Sequence, residues 1–212
     1  MSIHTILFDL DGTLIDTNEL IIASFHHTFS EFNHSFTKEQ IMEFNGPPLM
    51  DTFMHINPAK AEQMVAAYRV HNHANHDNFV RAFPHVKETI HRLKEEHIKL
   101  GIVSTKMRDG VEMGLLATGL DNCFEAIVTY DDVENPKPHA EPVLRGMEKL
   151  GGHPDTTLMV GDNYHDIEAG NNAGVQTAGV AWAHKGKERL LSYGPTYMLE
   201  DMRDLLKIIG VN

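Results

Sequence analysis

Several features are scarce in this 212-residue chain. A single cysteine, Cys123, has no partner for an intrachain disulfide, and a chain of this length with 42% hydrophobic residues can bury a core without one. Cations are few: 18 Lys and Arg against 30 Asp and Glu leave a net charge of −12 with histidine neutral. Sequence-independent nucleic-acid binding draws on clustered cations that displace condensed counterions, so no nucleic-acid partner is expected. An anionic ligand would need local positive charge or a bound metal. Nowhere do about 18 apolar residues run together, so no membrane-spanning helix and no membrane partner are expected. The stretch from Met1 to Phe8 lacks a basic region and meets Asp9 after a short apolar run, which predicts no secretory signal and a cytoplasmic protein.

What is present falls into two textures. Ile3 to Leu10 is a β-branched and aromatic run that empties into Asp9-Leu10-Asp11-Gly12-Thr13, the pattern of a buried strand ending in a polar loop. From Asp16 to Arg81 the spacing turns helical. Leu20, Ile21, Ser24, Phe25, Thr28 and Phe29 recur at three and four, Thr37 to Gln40 reads as a capping box, Gly46-Pro47-Pro48 interrupts, and a long helix is expected over Pro58 to about Asn78. No strand-like alternation shows in this segment.

After Phe83-Pro84 helices and strands alternate. A helix over Val86 to Glu96 precedes the strand Leu100 to Val103, and further strands are expected at Glu125 to Thr129, Leu158 to Val160 and Thr177 to Ala181. Alternation of this kind indicates βαβ units, a parallel sheet and helices on both faces. The expected organisation is an α/β domain of residues 1–15 and 82–212, interrupted by an all-helical segment over 16–81.

Open parallel sheets bind ligands at the carboxyl ends of their strands, and four of those ends carry reactive residues. Asp9 and Asp11 stand two apart before Gly12 and Thr13; a chance match to Asp-x-Asp-Gly-Thr in a chain this long has odds of about one in a thousand at average usage. Two carboxylates at one strand end repel unless a cation or a shared proton intervenes, and they suit a hard ion such as Mg2+. Gly161-Asp162-Asn163-Tyr164-His165-Asp166 repeats the logic, as a helix cap or as a further metal ligand. Lys137, between Pro136 and Pro138, is placed to neutralise an anion or to stand in solvent. Ser104 and Thr105 close an apolar strand near Arg108, where hydroxyls and free backbone N–H groups serve either a phosphate or a helix cap.

In this order and spacing, Asp9-x-Asp11-Gly12-Thr13, Ser104, Lys137 and Gly161-Asp162-x-x-x-Asp166 resemble the haloacid dehalogenase superfamily over the whole chain. The resemblance implies a Rossmann-like three-layer α/β core with a parallel sheet and, over 16–81, that family's inserted helical cap. It implies that Asp9 is a nucleophile forming an aspartyl-phosphate, and that Asp11 is the general acid and base and lends a backbone carbonyl to Mg2+. Asp9 and Asp162 would ligate the ion by side chain, Asp166 would support it from behind or through water, and Ser104, Thr105 and Lys137 would bind the phosphoryl group. An acid at Asp11 separates phosphatases of the family from its dehalogenases.

Longer strings are similar to the PpaX-type bacterial inorganic pyrophosphatases: Thr17 to Ile21, Gly101 to Lys106, Tyr68-Arg69 with Asn72-His73, Gly161 to Asp166 and Thr177 to Trp182. Asp16 and the segment Lys137 to Pro142 depart from that group's form. The resemblance implies hydrolysis of pyrophosphate to two phosphates, in the setting where the phosphocarrier HPr is dephosphorylated. Phosphoglycolate phosphatase, another small phosphomonoesterase and β-phosphoglucomutase are the neighbouring alternatives, and a phospho-accepting sensor is the remote one. Such a substrate needs cations beyond one ion, and Lys106 and Arg69 are the favoured candidates for the phosphate that is not transferred. His71, His73 and His76 lie on no single ladder for a zinc site and are expected to be solvated. Trp182, Phe25, Phe29 and Phe32 are expected to pack, and Cys123 to be a small buried residue.

Overall fold

A computed structural model describes residues 2–211. The apolar run at the start forms β1 (Thr5–Phe8), buried along its whole length. It lies at the centre of a six-stranded parallel sheet with β4 (Lys99–Val103), β5 (Ala126–Val128), β6 (Thr157–Gly161), β7 (Gln176–Val180) and β8 (Tyr197–Leu199) in the order β5-β4-β1-β6-β7-β8. Strands covered on both faces carry continuous apolar runs rather than alternation. Ile6 and Phe8 point to one face, where they join Ile90, Leu93, Val111, Leu115 and Leu205. These come from α5 (Val86–Glu95), α6 (Arg108–Thr118) and α10 (Asp204–Ile208). Leu7 points to the other face and joins Val103, Met159, Val143 and Ala169, the last two from α7 (Glu141–Lys149) and α8 (Tyr164–Asn172). A short α9 (Lys187–Leu191) precedes β8.

The strand register aligns three strand ends. Phe8 pairs with Ile102 on one side and Val160 on the other, so β1, β4 and β6 end within one residue of each other and deliver their next residues to one edge.

Between β1 and β4 the chain leaves and returns through a two-residue antiparallel ribbon, β2 (Ile15–Asp16) with β3 (Arg81–Ala82). Between these strands lie α1 (Asn18–Glu31), α2 (Lys38–Glu43), α3 (Leu49–Ile56) and α4 (Ala61–Phe79). They enclose an apolar cluster of their own around Phe25, Phe29, Phe53, Met64 and Tyr68, with the Phe25 and Tyr68 rings 4.8 Å apart. Ser24 and Thr28 are buried there and return their hydroxyls to the carbonyls of Leu20 and Ser24, both at 2.8 Å. The Thr37 capping box is present, with Thr37 N donating to Gln40 Oε1 at 2.9 Å.

Three differences from the expectations drawn from sequence have simple causes. The ribbon at Asp16 and Arg81 is unexpected, because two-residue strands show no periodicity. Edge strand β8 is unexpected too, being short and preceded by Gly194-Pro195. The long helix begins at Ala61 rather than Pro58, since Lys60 N closes a turn onto Asn57 O at 3.0 Å.

Candidate active site

The first residue past β1 is Asp9, which is buried and whose backbone N–H donates to Val160 O at 2.9 Å. The chain then turns back on itself. Leu14 and Ile15 donate to Leu10 O, and Gly12 donates to Ile15 O at 2.8 Å. Gly12 has φ +84°, and a Cβ there would collide with the Asp162 carboxylate, so this position needs glycine for both its backbone and its neighbour. Trp182 braces the turn by donating its indole N–H to Thr13 O at 3.3 Å.

Lys137 joins the strand ends. Its ammonium donates to Asp9 Oδ1 at 2.7 Å, Asp166 Oδ1 at 2.6 Å and Val103 O at 2.9 Å, which uses all three N–H bonds. Only 4% of the residue is exposed, which excludes the solvated alternative. Asp166 is spent on both sides, because its Oδ2 accepts from Asn163 N at 3.0 Å in the capping box that starts α8. The helix-cap reading of this segment therefore holds for Asp166, whose other oxygen pairs with Lys137, and Asp162 stays as the candidate metal ligand.

Asp9, Asp162 and Asp166 each place a carboxylate oxygen within 4.8 Å of the others, and all three are buried. One lysine against three carboxylates leaves surplus negative charge. Burial pushes Asp9 up to about 7 despite the pull of Lys137, with Asp166 and Asp11 adding to the rise. Burial, then the charges of Asp9 and Asp166, push Asp162 well above the usual carboxylate range. Burial opposes the charge on Lys137, yet Asp166 and Asp9 hold its ammonium above the ordinary lysine range. Among the described residues Asp9 Oδ2 and the Asp162 side chain take part in no hydrogen bond. Two unengaged carboxylates whose ionised forms await a cation fit a hard divalent ion such as Mg2+, and such an ion would restore both to the charged form.

Ser104 follows β4, is buried, and accepts from Lys106 N at 3.1 Å. Thr105 also lines the cavity, but its hydroxyl donates to Gly46 O at 3.1 Å, across to the loop between α2 and α3. Lys106 Nζ lies 3.1 Å from Asp11 Oδ1, both half-buried, so this lysine is already paired with the carboxylate beside Asp9. Arg69 is exposed on α4 and lines the same cavity without an ion pair among the described residues.

The cavity covers Asp9 and has a volume of about 330 Å³. Its lid is the loop Asn45-Gly46-Pro47-Pro48, and nothing in the sequence pattern signals the way this loop is held. Lys185 Nζ donates to Asn45 O at 2.7 Å and Glu43 O at 3.2 Å. Asn163 Nδ2 donates to Asn45 O at 3.2 Å, and Arg189 makes two bonds to the Glu43 carboxylate at 3.0 and 2.9 Å. A Cβ on Gly46, at φ +119°, would stand 2.5 Å from Asn163 Nδ2. Since Asn163 Nδ2 donates to the loop, its Oδ1 must accept from His165 Nδ1 at 2.9 Å, which places the His165 proton on Nδ1. Burial pushes His165 down to about 4, with Asp166 opposing and Lys137 and Lys185 adding, so this imidazole is neutral.

The histidines of α4 differ from expectation. His76 is buried at 2% exposure rather than solvated, because α4 turns it toward Gly114 and Ile15 at the entrance of the ribbon. His71 Nδ1 pairs with Ser24 Oγ at 3.1 Å, and His73 lies 3.4 Å from Asp109. Among the described residues the only group of three candidate metal ligands is Asp9, Asp162 and Asp166. Phe25 and Phe29 pack in the helical cluster with Phe32 against its edge, and Cys123 is buried, as expected.

Comparison with known proteins gives the family of the chain. The sequence model of haloacid dehalogenase-like hydrolases matches residues 6–180. The pyrophosphatase PpaX of Oceanobacillus iheyensis is 58% identical over 210 residues, covering 99% of this chain and 98% of that protein. The pyrophosphatase PpaX of Anoxybacillus flavithermus is 52% identical over 212 residues, covering 100% of this chain and 99% of its own. Among solved structures, a haloacid dehalogenase-like family hydrolase from Streptococcus pneumoniae superposes with a TM-score of 0.85 at 25% identity, covering 97% of each chain.

Proposed function

The chain belongs to the haloacid dehalogenase-like hydrolase family, and on that premise we propose that it is a Mg2+-dependent pyrophosphatase acting through an aspartyl-phosphate at Asp9. The observation that carries the proposal is the Lys137 ammonium held between Asp9 and Asp166 beside an unengaged Asp162, at the floor of a covered cavity. The full-length similarity to two proteins named pyrophosphatase PpaX supports the choice of substrate.

An Asp9 oxygen attacks the terminal phosphorus as the bond from that phosphorus to the bridging oxygen breaks. Asp11 gives its proton to the departing phosphate. Water then attacks the aspartyl-phosphate, Asp11 takes the proton back, and the bond to Asp9 breaks, which releases the second phosphate. Asp9 and Asp162, with the main-chain carbonyl of Asp11, would hold Mg2+, which supplies charge neutralisation for the anionic phosphoryl group. Lys137 and Ser104 bind that group from the protein side, while Lys106 and Arg69 meet the phosphate that leaves. Thr105 is assigned to the lid rather than to the phosphoryl group, because its hydroxyl is committed to Gly46 O.

In this reading residues 16–81 are a cap that closes over a core of 1–15 and 82–212. The setting follows the resemblance to the PpaX type, the clearing of pyrophosphate released when HPr is dephosphorylated. Phosphate release from pyrophosphate, phosphoglycolate and p-nitrophenyl phosphate, with and without Mg2+, is the test. Turnover of pyrophosphate only with the ion is expected; a preference for phosphoglycolate overturns the substrate assignment.

A further inference from the structure

The outer face of the helical segment carries histidines that the chemistry at Asp9 does not use. An open groove of about 560 Å³ runs along α1 between α2 and α4, with Glu19, His26, His27, Lys38 and His71 in its lining. Lys38 is paired with Glu19 Oε1 at 3.0 Å, so its charge is balanced within the groove.

Proton counting fixes one of these imidazoles. The buried Ser24 hydroxyl has one proton, and it goes to Leu20 O at 2.8 Å. Ser24 Oγ also lies 3.1 Å from His71 Nδ1 and 3.4 Å from Asn72 Nδ2, and with its proton spent it can only accept from both. His71 therefore carries its proton on Nδ1, and the lone pair of the neutral ring is on Nε2, which takes no hydrogen bond among the described residues. An imidazole with one N–H anchored and the other nitrogen bare is the usual form of a metal-ligating histidine, the anchor setting tautomer, orientation and basicity. Burial lowers the proton affinity of His71 and the charge of His27 adds to this, so the lone pair stays bare at neutral pH.

The His27 ring stacks on His71 with centroids 4.5 Å apart. His27 is exposed on α1, and its Nε2 stands 3.7 Å from Glu31 Oε2. Imidazole nitrogens suit borderline ions, whereas Mg2+ takes oxygen.

We infer that His71 Nε2 and the His27 imidazole bind one borderline divalent cation, of the Zn2+, Ni2+ or Cu2+ class, on the outer face of residues 16–81, apart from the acidic cluster at Asp9 and Asp162. Rotation of the exposed His27 side chain brings its lone pair to the ion, Glu31 supplies negative charge beside it, and water completes the coordination. Two protein ligands make this an exchangeable site rather than a closed structural one. The inference does not rest on the proposed reaction.

The test is calorimetric titration of the full chain with Ni2+ in saturating Mg2+, which keeps the acidic cluster occupied. One Ni2+ per chain is expected in the tightest class. His27→Asn or His71→Asn removes that class, whereas His26→Asn in the same groove leaves it. Ser24→Ala is the sharper variant, because it takes away no ligand, and loss of such an anchor costs about 10–100-fold in metal affinity. Affinity unchanged in His71→Asn or in Ser24→Ala means that exposed histidines at large hold the Ni2+, and overturns the inference. Long-range 1H–15N spectra of the unsubstituted protein read the His71 tautomer directly. A proton on Nδ1 is expected, and a proton on Nε2 overturns the inference without any variant.

Discussion

The floor of the cavity and its lid are both assembled from residues far apart in sequence, yet they are held in different ways. At the floor, side chain meets side chain: Lys137 to Asp9 spans 128 positions and Lys137 to Asp166 spans 29, and all three are buried beneath the carboxyl edge of the sheet, Asp9 at the end of β1 and Asp166 in the first turn of α8. At the lid, side chains of Thr105, Asn163 and Lys185 grip main-chain carbonyls of Glu43, Asn45 and Gly46 from the core side, in partly exposed surroundings. A buried ion network has one arrangement, and breaking it leaves uncompensated charge. A lid held by carbonyl contacts can let go and re-form without stranding a charge in the interior. The contrast predicts that floor substitutions act on chemistry and global stability, whereas lid substitutions act on substrate capture and local opening.

The largest effect is expected at Asp11. In the proposed mechanism Asp11→Asn removes the proton relay, worth roughly 10² to 10⁴ in rate for a general acid and base. Phosphate leaves more readily than an alkoxide, so with pyrophosphate the second step, attack by water, slows more than the first. Rapid-quench trapping is expected to show accumulated phosphoenzyme; its absence in this variant sinks the assignment of Asp11 as base.

Lys137→Met comes next and is read in stability. It leaves Asp9 and Asp166 buried without their shared cation, and breaking such a pair costs about 3–5 kcal/mol. Denaturant unfolding is expected to shift by that order, and a loss as small as that of an exposed ion pair would show that the floor network is not rigid.

The ion-free protein offers a third test. Burial raises Asp9 from its ordinary value of 3.8 to about 7, and Asp162 moves in the same direction. Across that window the folded state binds more protons than the unfolded one, so the slope of stability with pH is negative. Tm of the protein in chelator therefore falls as pH rises from about 4 to 7, against whatever the remaining groups contribute. Mg2+ reverses the trend at the upper end by favouring the ionised carboxylates. If Mg2+ gives equal stabilisation at both ends of the window, Asp9 and Asp162 are not the groups that titrate.

The same contrast explains what could be read from sequence. Strands β1, β4 and β6 announce themselves as apolar runs, and Asp9, Asp11, Ser104, Asp162 and Asp166 stand out because they sit in short contiguous strings that follow those strands, Lys137 because two prolines flank it. What pairs with what is not in the strings. Lys106 reads as a free cation for substrate, and its pairing with Asp11 crosses 95 positions. Thr105 reads as a phosphate ligand because a hydroxyl after a strand suits that role, whereas its partner is Gly46 O, and every residue offers a carbonyl. Lys185 and Arg189 stand after the last recognisable motif, and nothing local marks them as reaching back to Asn45 and Glu43. His76 reads as solvated among its histidine neighbours, because burial on a polar helix depends on what that face meets.

Lys185→Met sharpens the comparison at its weaker end. The ammonium caps two carbonyls, Glu43 O at the end of α2 and Asn45 O just past it, where a cation also meets the negative end of the helix dipole. Burial pulls the Lys185 charge down, opposed by Glu43, so the group is held by the lid as much as it holds it. Hydrogen bonds to a charged donor contribute about 1.5–3 kcal/mol, and part of that is returned here because water reaches the site once the lid opens. The lid then opens more often while the strand ends beneath it stay in place. KM is expected to rise severalfold with kcat nearly unchanged, and amide exchange is expected to quicken at Gly46, Leu49 and Met50 but not along β1 or β6. A fall in kcat with unaltered exchange at Gly46 would mean that Lys185 acts on the floor through the charge of Asp162 rather than through the loop it visibly holds.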